Sequence, residues 1–417
     1  MSQDKLPPLP PVFSRAEGEE LDPVELSDVE IVSGQNQQQF EAEIRDSNVF
    51  HENHHLQKDL VLMRKIVSFS VVLTLILTVG YIGSVLMDEG IISIRPSDSA
   101  LESQTKYQNL IEFDNMTATG QGIRVCIVDS GLDRTHDDLK GINLVGWMDF
   151  VNGNSNPYDD HGHGTSMAGI LVANGWIEGM APNVELLVAK ALQSNGSGDD
   201  SDVVDAIDWC VENNAHIISL SLGGAPGALP FFLQSGRDSG DAANDAIDKG
   251  IFVIAAAGND GTDDDGDVAS PASETAVIAV GGVTSSGTIW SGSSVGDNNG
   301  RILPLPILLP RNDPHKKPEL VAPAFRVPVI NNQGTWSLVD GTSAATVFVT
   351  GAIALLLETN PELAANGSQG SASTVNDVKQ YLMDCSKKQD GQTGHDDYYG
   401  YGILQMDQLL IEANPPE

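Results

Sequence analysis

The chain contains few cysteines and few aromatic residues for its length. Cysteine accounts for 3 of its 417 residues, and Phe, Trp and Tyr together make up 6%. An odd number of widely spaced cysteines predicts no disulfide framework and gives no support for a cysteine protease. We expect Cys126 to be a small buried residue in a strand, and we expect Cys210 and Cys385 to lie in helices.

Basic residues are also scarce. Lysine and arginine number 22 against 58 acidic residues, which gives a formal net charge of -36. A nucleic-acid partner is therefore excluded, because a phosphate backbone requires a basic surface on the protein. No metal ligands are assigned, because the histidines lack the cysteine partners and ordered neighbours that are typical of a metal site.

The first 65 residues are predicted to form a disordered, acidic cytoplasmic tail. They begin with a proline-rich segment, continue with acidic and Gln/Asn-rich sequence, and contain few large apolar residues. Such a composition cannot bury enough apolar surface to offset the entropy lost on folding.

A long uncharged segment follows at residues 66–87 and is predicted to be a transmembrane helix. Its 22 residues would form a helix about 33 Å long, which is enough to cross the hydrocarbon core of a membrane. Basic residues precede the segment, and two acidic residues follow it at once. The positive-inside rule then predicts a single-pass protein of the cell membrane with a cytoplasmic N-terminus and an extracytoplasmic domain. Residues 88–104 are interpreted as a linker and residues 105–412 as the folded domain.

From residue 105 onward, short apolar runs alternate with helical patterns. The apolar runs predict five strands, at residues 122–128, 185–192, 216–222, 251–257 and 276–283. The helical patterns lie between them, at residues 165–174, 201–214 and 240–249. Continuous apolar strands separated by helices predict an α/β fold with a mostly parallel sheet and helices on both faces. In such sheets, ligands bind beyond the carboxyl ends of the strands.

The segment at residues 340–345 (DGTSAA) places Ser343 at the start of a predicted helix. By itself, Ser343 would be interpreted as a helix cap. Upstream, however, Asp129, His163 and Asn259 each follow a predicted strand or turn. Acyl transfer requires these groups: a serine activated by an imidazole, a carboxylate that orients the imidazole, and an amide donor for the oxyanion.

Five segments resemble the motifs of the subtilisin-like serine proteases, the subtilases, and occur in that family's order. They are VCIVDSGLD, HGHGTSMAGI, ISLSLGG, AAAGND and DGTSAATVFVTG. The resemblance implies that Asp129, His163 and Ser343 form a catalytic triad and that Asn259 contributes to an oxyanion hole. It also implies two backbone edges that pair with an extended peptide substrate. These edges are Ser221, Leu222 and Gly223 on one side and Ala255, Ala256, Ala257 and Gly258 on the other.

The resemblance predicts a membrane-anchored serine endopeptidase that cleaves proteins or peptides outside the cytoplasm and requires no cofactor. Two departures from the family pattern keep an alternative open, a catalytically impaired subtilase-like binding or scaffold protein. Val347 replaces the proline that is usual in the first turn of the serine helix, a change we expect the helix to tolerate. The short interval between Met87 and the catalytic region also leaves no room for a separate folding prodomain.

An acidic run at residues 263–267 (DDDGD) comes shortly after Asn259 and Asp260. We expect these carboxylates near the rim of the pocket for the residue before the scissile bond, where they would favour a basic side chain. The run could also bind calcium as a structural ion, because hard cations prefer clustered oxygen ligands. A solvated acidic loop is the alternative, and both interpretations stay open here.

Overall fold

The computed structural model describes residues 49–88, 95–113, 116–223, 236–261, 267–296, 301–302, 307–308 and 311–413. Most of the predicted tail (1–65) lies outside the described residues. So do residues 89–94 of the predicted linker and residues 263–266 of the acidic run.

The first of two compact units, Met1–Val85, contains most of helix α1 (Val49–Asp88). The portion Lys58–Val85 has a mean hydropathy of 2.2, and its apolar side chains are exposed. By length and composition this helix could cross a membrane, and it includes the predicted segment 66–87. One other helix in the described part of the chain meets the same criteria, Thr342–Thr359, but it is 89% buried and belongs to a protein core.

The second unit, Leu86–Glu417, contains helix α2 (Asp98–Leu110) near its start. The Ser97 hydroxyl caps this helix by accepting a hydrogen bond from the Ala100 amide at 3.2 Å. Ala100 and Tyr107 are its buried residues. The boundary predicted at residue 105 falls inside the helix, because two buried positions in 13 residues give only a weak periodic pattern.

A seven-stranded sheet forms the centre of the second unit. Its strands are β1 (Arg124–Asp129), β2 (Leu144–Asp149), β3 (Glu185–Lys190), β4 (Ile217–Leu220), β5 (Phe252–Ala256), β6 (Ile278–Val283) and β9 (Leu320–Pro323). The spatial order is β2-β3-β1-β4-β5-β6-β9, and every neighbouring pair is parallel. Strands β1, β4, β5 and β6 are almost wholly buried, as expected for a parallel sheet that is covered on both faces.

Two groups of helices cover the sheet. Helices α3 (His163–Val172) and α6 (Thr342–Thr359) pack against each other, and α6 lies across β4, β5, β6 and β9. Helices α4 (Asp200–Glu212) and α5 (Ser239–Asp248) pack together and contact β1, β3 and β5. The predicted parallel α/β fold with flanking helices is confirmed.

The remaining elements lie after β6. They are the short strands β7 (Arg301–Ile302) and β8 (Ile307–Leu308), the hairpin strands β10 (Val327–Ile330) and β11 (Trp336–Val339), and helices α7 (Ala372–Cys385) and α8 (Met406–Ala413). The hairpin of β10 and β11 leads directly into helix α6, so its position influences where the serine segment begins.

The expectation of no disulfide was wrong. Cys126 in β1 is bonded to Cys210 in α4, with 5.8 Å between their Cα atoms. The two residues are 84 positions apart, and only the packing of α4 against β1 brings them together. Spacing arguments detect dense local frameworks, and they do not detect a single crosslink between a sheet and its covering helix.

Candidate active site

The chain segments that carry Asp129 and His163 approach each other closely because glycines occupy the contact. A side chain at Gly131 would place its Cβ 2.1 Å from the Tyr158 carbonyl oxygen, and one at Gly164 would lie 2.3 Å from the Gly131 oxygen. Gly131 also has a φ of +129°, which favours glycine. The loop after β1 can therefore lie directly against the start of α3.

Asp129 and His163 form a hydrogen-bonded pair at the carboxyl end of β1, in which Asp129 is buried and His163 is half-buried. The His163 Nδ1 atom lies 2.8 Å and 2.9 Å from the two carboxylate oxygens of Asp129, which is fully buried. Burial lowers the pKa of the His163 imidazole, but the charge of Asp129 and the hydrogen bond to it outweigh burial. The pKa therefore lies above its ordinary value of 6.5. Because Asp129 engages Nδ1, Nε2 is the nitrogen that remains to exchange protons in the cleft.

A second carboxylate, Asp159, supports this pair and was not identified from the sequence. It accepts hydrogen bonds from the Ser130 hydroxyl at 2.9 Å, from the Gly162 amide at 2.7 Å, and from the Thr165 amide and hydroxyl at 2.8 Å and 2.6 Å. Burial raises the pKa of the Asp159 carboxyl, but these hydrogen bonds outweigh burial and lower it. Asp159 thus fixes the residues next to both Asp129 and His163. Its position two residues before the HGHG sequence was the available signal.

Ser343 is the second residue of α6 and is 8% exposed. Its hydroxyl donates to the Ser221 carbonyl oxygen at 3.0 Å, and the Ser221 hydroxyl donates to the Ser343 carbonyl oxygen at 3.1 Å. Among the described residues, His163 is not a hydrogen-bond partner of the Ser343 hydroxyl. The two side chains nevertheless line the same two cavities. The serine in this structure is therefore held by the end of strand β4.

Asn259 follows β5 and is held by the residue before the serine. Its Oδ1 atom accepts from the Thr342 amide at 2.9 Å and from the Thr342 hydroxyl at 2.9 Å. With Oδ1 occupied by two donors, the Nδ2 group is the end of the amide that remains to donate. Asn259 lines both cavities beside Ser343.

Two cavities meet at these residues. The smaller, of about 340 Å³, lies between α3 and the β10–β11 hairpin, and the larger, of about 860 Å³, extends along the ends of β4 and β5. His163, Asn259 and Ser343 line both. Together they form a cleft whose lining includes Ser343.

Some of the predicted substrate-edge residues line the cleft, and others do not. Of the first edge, Ser221, Leu222 and Gly223 all line the larger cavity. Of the second edge, Ala256 and Gly258 line it, whereas Ala255 and Ala257 are fully buried and line neither cavity. Alternate residues of a strand point to opposite faces, which the motif alone does not show.

The larger cavity is acidic. Asp200, Asp238, Asp260 and Asp267 line it, and no lysine or arginine is among the described residues that do so. Asp267 is the described member of the acidic run, and both of its carboxylate oxygens bind Arg311, one at 2.6 Å and the other at 2.5 Å. Asp267 is therefore not available as a calcium ligand. Among the described residues, no group of three or more His, Cys, Asp or Glu side chains could hold a metal ion.

A profile of the Subtilase family matches residues 120–402. The chain belongs to the subtilase family. Membership makes it a subtilisin-like serine endopeptidase, and the geometry described above lies within the matched residues.

Individual subtilases show the extent of the similarity. Subtilisin DY of Bacillus licheniformis is 33% identical over 310 residues, which cover 72% of this chain and 95% of that protein. Subtilisin NAT of Bacillus subtilis subsp. natto is 36% identical over 248 residues, which cover 58% of this chain and 57% of that protein. In fold, the chain resembles a cold adapted subtilisin-like serine proteinase, with a TM-score of 0.54, 24% identity, and coverage of 70% and 91% of the two chains. It also resembles the prenylagaramide maturation protease PagA, with a TM-score of 0.55, 22% identity, and coverage of 74% and 99%.

Val347, the departure from the family's serine motif, is fully buried in α6. The helix runs from Thr342 to Thr359, so valine at this position is compatible with a regular helix start. Ser343, in contrast, lines the cleft.

Proposed function

We propose that this subtilase is a membrane-anchored endopeptidase that cleaves protein or peptide substrates outside the cytoplasm and that Asp129, His163 and Ser343 are its catalytic triad. The observation that supports the residue assignment is the hydrogen bond from His163 to the buried Asp129, because His163 lines the cleft that Ser343 and Asn259 also line. A buried carboxylate bonded to Nδ1 keeps the imidazole in the tautomer and orientation needed to accept a proton on Nε2.

In the proposed reaction, the Ser343 hydroxyl attacks the scissile carbonyl carbon and gives its proton to His163 Nε2. The carbonyl oxygen becomes an oxyanion, which the Asn259 Nδ2 group and the Ser343 amide bind. Collapse of this intermediate breaks the C–N bond, and His163 returns the proton to the leaving amine. Water then hydrolyses the acyl-enzyme by the same steps. Asp129 balances the charge of the imidazolium throughout.

The serine must turn away from Ser221 before it can react. A substrate that pairs with the first edge offers backbone N–H groups to the carbonyls at the end of β4, including the Ser221 carbonyl. Competition for this acceptor would weaken its hydrogen bond with the Ser343 hydroxyl. We infer that substrate pairing helps to release the hydroxyl toward His163.

We further propose that the larger cavity prefers substrates with a basic residue before the scissile bond. Four aspartates line the cavity, and one of them, Asp267, is already paired with Arg311. Asp260 is exposed and directly follows Asn259, the proposed oxyanion donor. A lysine or arginine side chain that enters the cavity would form an ion pair there without a competing base among the described lining residues.

Cleavage profiling tests this preference. In a peptide library, we expect Arg and Lys to exceed Leu before the scissile bond, and Asp260→Asn should reduce that excess about tenfold, the equivalent of a charged hydrogen bond. Asp245→Asn removes the same charge from α5, away from the cavity lining, and should leave the profile unchanged. A parent profile dominated by large apolar residues would contradict the preference.

The location is proposed from two features. Helix α1 has the length, composition and exposed apolar surface of a membrane span, and the basic residues before its uncharged segment favour a cytoplasmic N-terminus. The Cys126–Cys210 disulfide belongs to the part of the chain after α1, and disulfides persist in oxidising compartments outside the cytoplasm. Both features favour an extracytoplasmic protease domain.

Covalent labelling tests activity and location together. A membrane-impermeant fluorophosphonate should label the full-length chain in lysed cells, and the matched Ser343→Ala variant should remain unlabelled because the attacking oxygen is absent. Labelling of intact cells at the same level, with the protein in the membrane pellet, is the expected result for an external, anchored domain. Labelling only after lysis would reject that topology, and no labelling of the parent in either sample would reject the triad.

A further inference from the structure

The segment Ala324–Arg326, which joins β9 to β10, contacts the residues directly before the serine. The Gly341 amide donates to the Ala324 carbonyl oxygen at 2.8 Å, and the Arg326 amide donates to the Asp340 carboxylate at 2.6 Å. Gly341 is the N-cap residue of α6. The position from which α6 starts is therefore fixed on one side by this segment, which we call the clamp segment.

Helix α2 holds the clamp segment from its other side. The Tyr107 hydroxyl donates to the Phe325 carbonyl oxygen, and the Ser103 hydroxyl donates to the Arg326 carbonyl oxygen at 2.8 Å. Tyr107 is 1% exposed, and its ring lies 6.4 Å from that of Phe348 in α6. The clamp segment thus receives hydrogen bonds from α2 and exchanges hydrogen bonds with the serine segment.

The backbone of the clamp segment is strained at its last residue. Arg326 has a φ of +54°, a left-handed conformation that is uncommon and unfavourable for a residue other than glycine. Its amide is bound to Asp340 and its carbonyl to Ser103, so both neighbours help to maintain that conformation. Removal of one partner leaves Arg326 free to relax, and the Asp340 contact would change with it.

The Tyr107 hydroxyl can act as a donor over the whole working range of pH. Burial has the largest effect on the pKa of the Tyr107 phenol and raises it. The hydrogen bond to Phe325 lowers this pKa, and the nearby charge of Asp340 raises it further. The resulting pKa is about 12. The phenol is therefore protonated, and able to donate, at neutral pH.

We propose that Tyr107 is a positioning residue for the nucleophile, which acts through the clamp segment to hold the serine segment Asp340–Ser343 in place. The inference rests on the proposed role of Ser343. Tyr107 does not touch the cleft, and it is not among the residues that line either cavity. Its contribution is to keep the start of α6, and so the Ser343 hydroxyl, at a fixed distance from His163.

Tyr107→Phe in the full-length chain tests this role, because it removes the hydroxyl and keeps the ring beside Phe348. We expect kcat to fall about tenfold, the effect of a nucleophile that is no longer well oriented, while KM changes less than about twofold. Amide hydrogen exchange in residues 339–343 should become faster in the same variant, because the clamp contact opens more often. Lys106→Ala, a change at an exposed neighbour in α2 whose ion pair is with Glu102, is the matched control and should alter neither measurement.

A comparison of two variants at Asp340 tests the other contact of the clamp segment. Asp340→Asn keeps an oxygen that can accept from the Arg326 amide, whereas Asp340→Ala does not, so kcat should fall further in the alanine variant.

The outcomes separate this inference from the proposed function. Unchanged exchange in Tyr107→Phe would overturn the inference, and so would faster exchange with an unchanged kcat. A parent chain that neither hydrolyses peptides nor reacts with the fluorophosphonate would overturn the proposed function. The exchange comparison would then still decide whether α2 holds the serine segment.

Discussion

His163→Ala should lower kcat for a peptide substrate by about 10⁶-fold, a magnitude known for subtilisin rather than derived for this chain. The imidazole is the group that we propose takes the Ser343 proton, and the buried Asp129 holds it by Nδ1 at 2.8 Å. Without it, a neutral serine hydroxyl is a weak nucleophile, and the amine has no acid to protonate it as it leaves. Steady-state hydrolysis, corrected for the fraction of folded protein by circular dichroism, measures the loss.

The chain contains its own control for this variant. His161 lies two residues earlier and lines both cavities, with its ring centroid 6.2 Å from that of His163. Of these two histidines, however, His163 is the one that is hydrogen-bonded to Asp129. His161→Ala should therefore retain kcat within about tenfold of the parent. Loss of activity in His161→Ala together with retention in His163→Ala would show that the histidine was wrongly assigned.

The pH profile of the parent provides a second readout of the same group. The base must be neutral, and the pKa of His163 lies above 6.5 because the Asp129 charge outweighs burial. Activity should be present above that pKa and should be lost as the pH falls through it. The charge of Asp129 is a cause of the raised pKa of His163. In Asp129→Asn, the loss of activity on the acidic side of the pH profile should therefore occur at a lower pH, and most of the activity should be lost.

Reduction of the Cys126–Cys210 disulfide should lower the free energy of unfolding by about 4.5 kcal/mol, if the crosslink acts mainly by restricting the unfolded chain. The value follows from the separation of 84 residues between the two cysteines. Unfolding by urea, followed by fluorescence with and without a thiol reductant, measures the difference. Peptide mapping without reduction should recover the peptides that contain residues 126 and 210 as one crosslinked species.

The matched control is the double variant Cys126→Ala/Cys210→Ala. It cannot form the crosslink, so its unfolding should be insensitive to the reductant. Cys385→Ala leaves the disulfide intact and should respond to reductant as the parent does. A parent that unfolds at the same urea concentration with and without reductant would contradict the stabilising role of the crosslink.

The fold was accessible from the sequence because its strands are buried on both faces. A parallel strand such as β4 or β5 appears in the sequence as an unbroken apolar run, which is a strong local signal. Strand β2 was missed because it lies at the edge of the sheet and only its last residue is buried. Strand β9 was missed because it is four residues long and ends at Pro323.

The site was partly accessible for the same reason. The motifs place Asp129 and Asn259 after strands and His163 and Ser343 at helix starts, and the parallel sheet brings the carboxyl ends of its strands to one side. The role of Asp159 could not be predicted from composition, because it depends on five hydrogen bonds that converge on one carboxylate. The clamp segment could not be predicted either. Its contacts join Tyr107 to Phe325, which are 218 residues apart in the chain.

The reciprocal hydrogen bonds between Ser221 and Ser343 give the enzyme a form of latency. One carbonyl oxygen serves both as the resting partner of the nucleophile and as part of the edge that a peptide must occupy. Small electrophiles that do not pair with this edge would encounter Ser343 mostly while its hydroxyl is bonded to Ser221. Their apparent affinity would be reduced by the small fraction of molecules in which the hydroxyl is released. In the mechanism that we propose, extended peptides release the serine as they dock. The preference for extended peptides over small electrophiles would then arise from the backbone edge, before any side-chain pocket is filled.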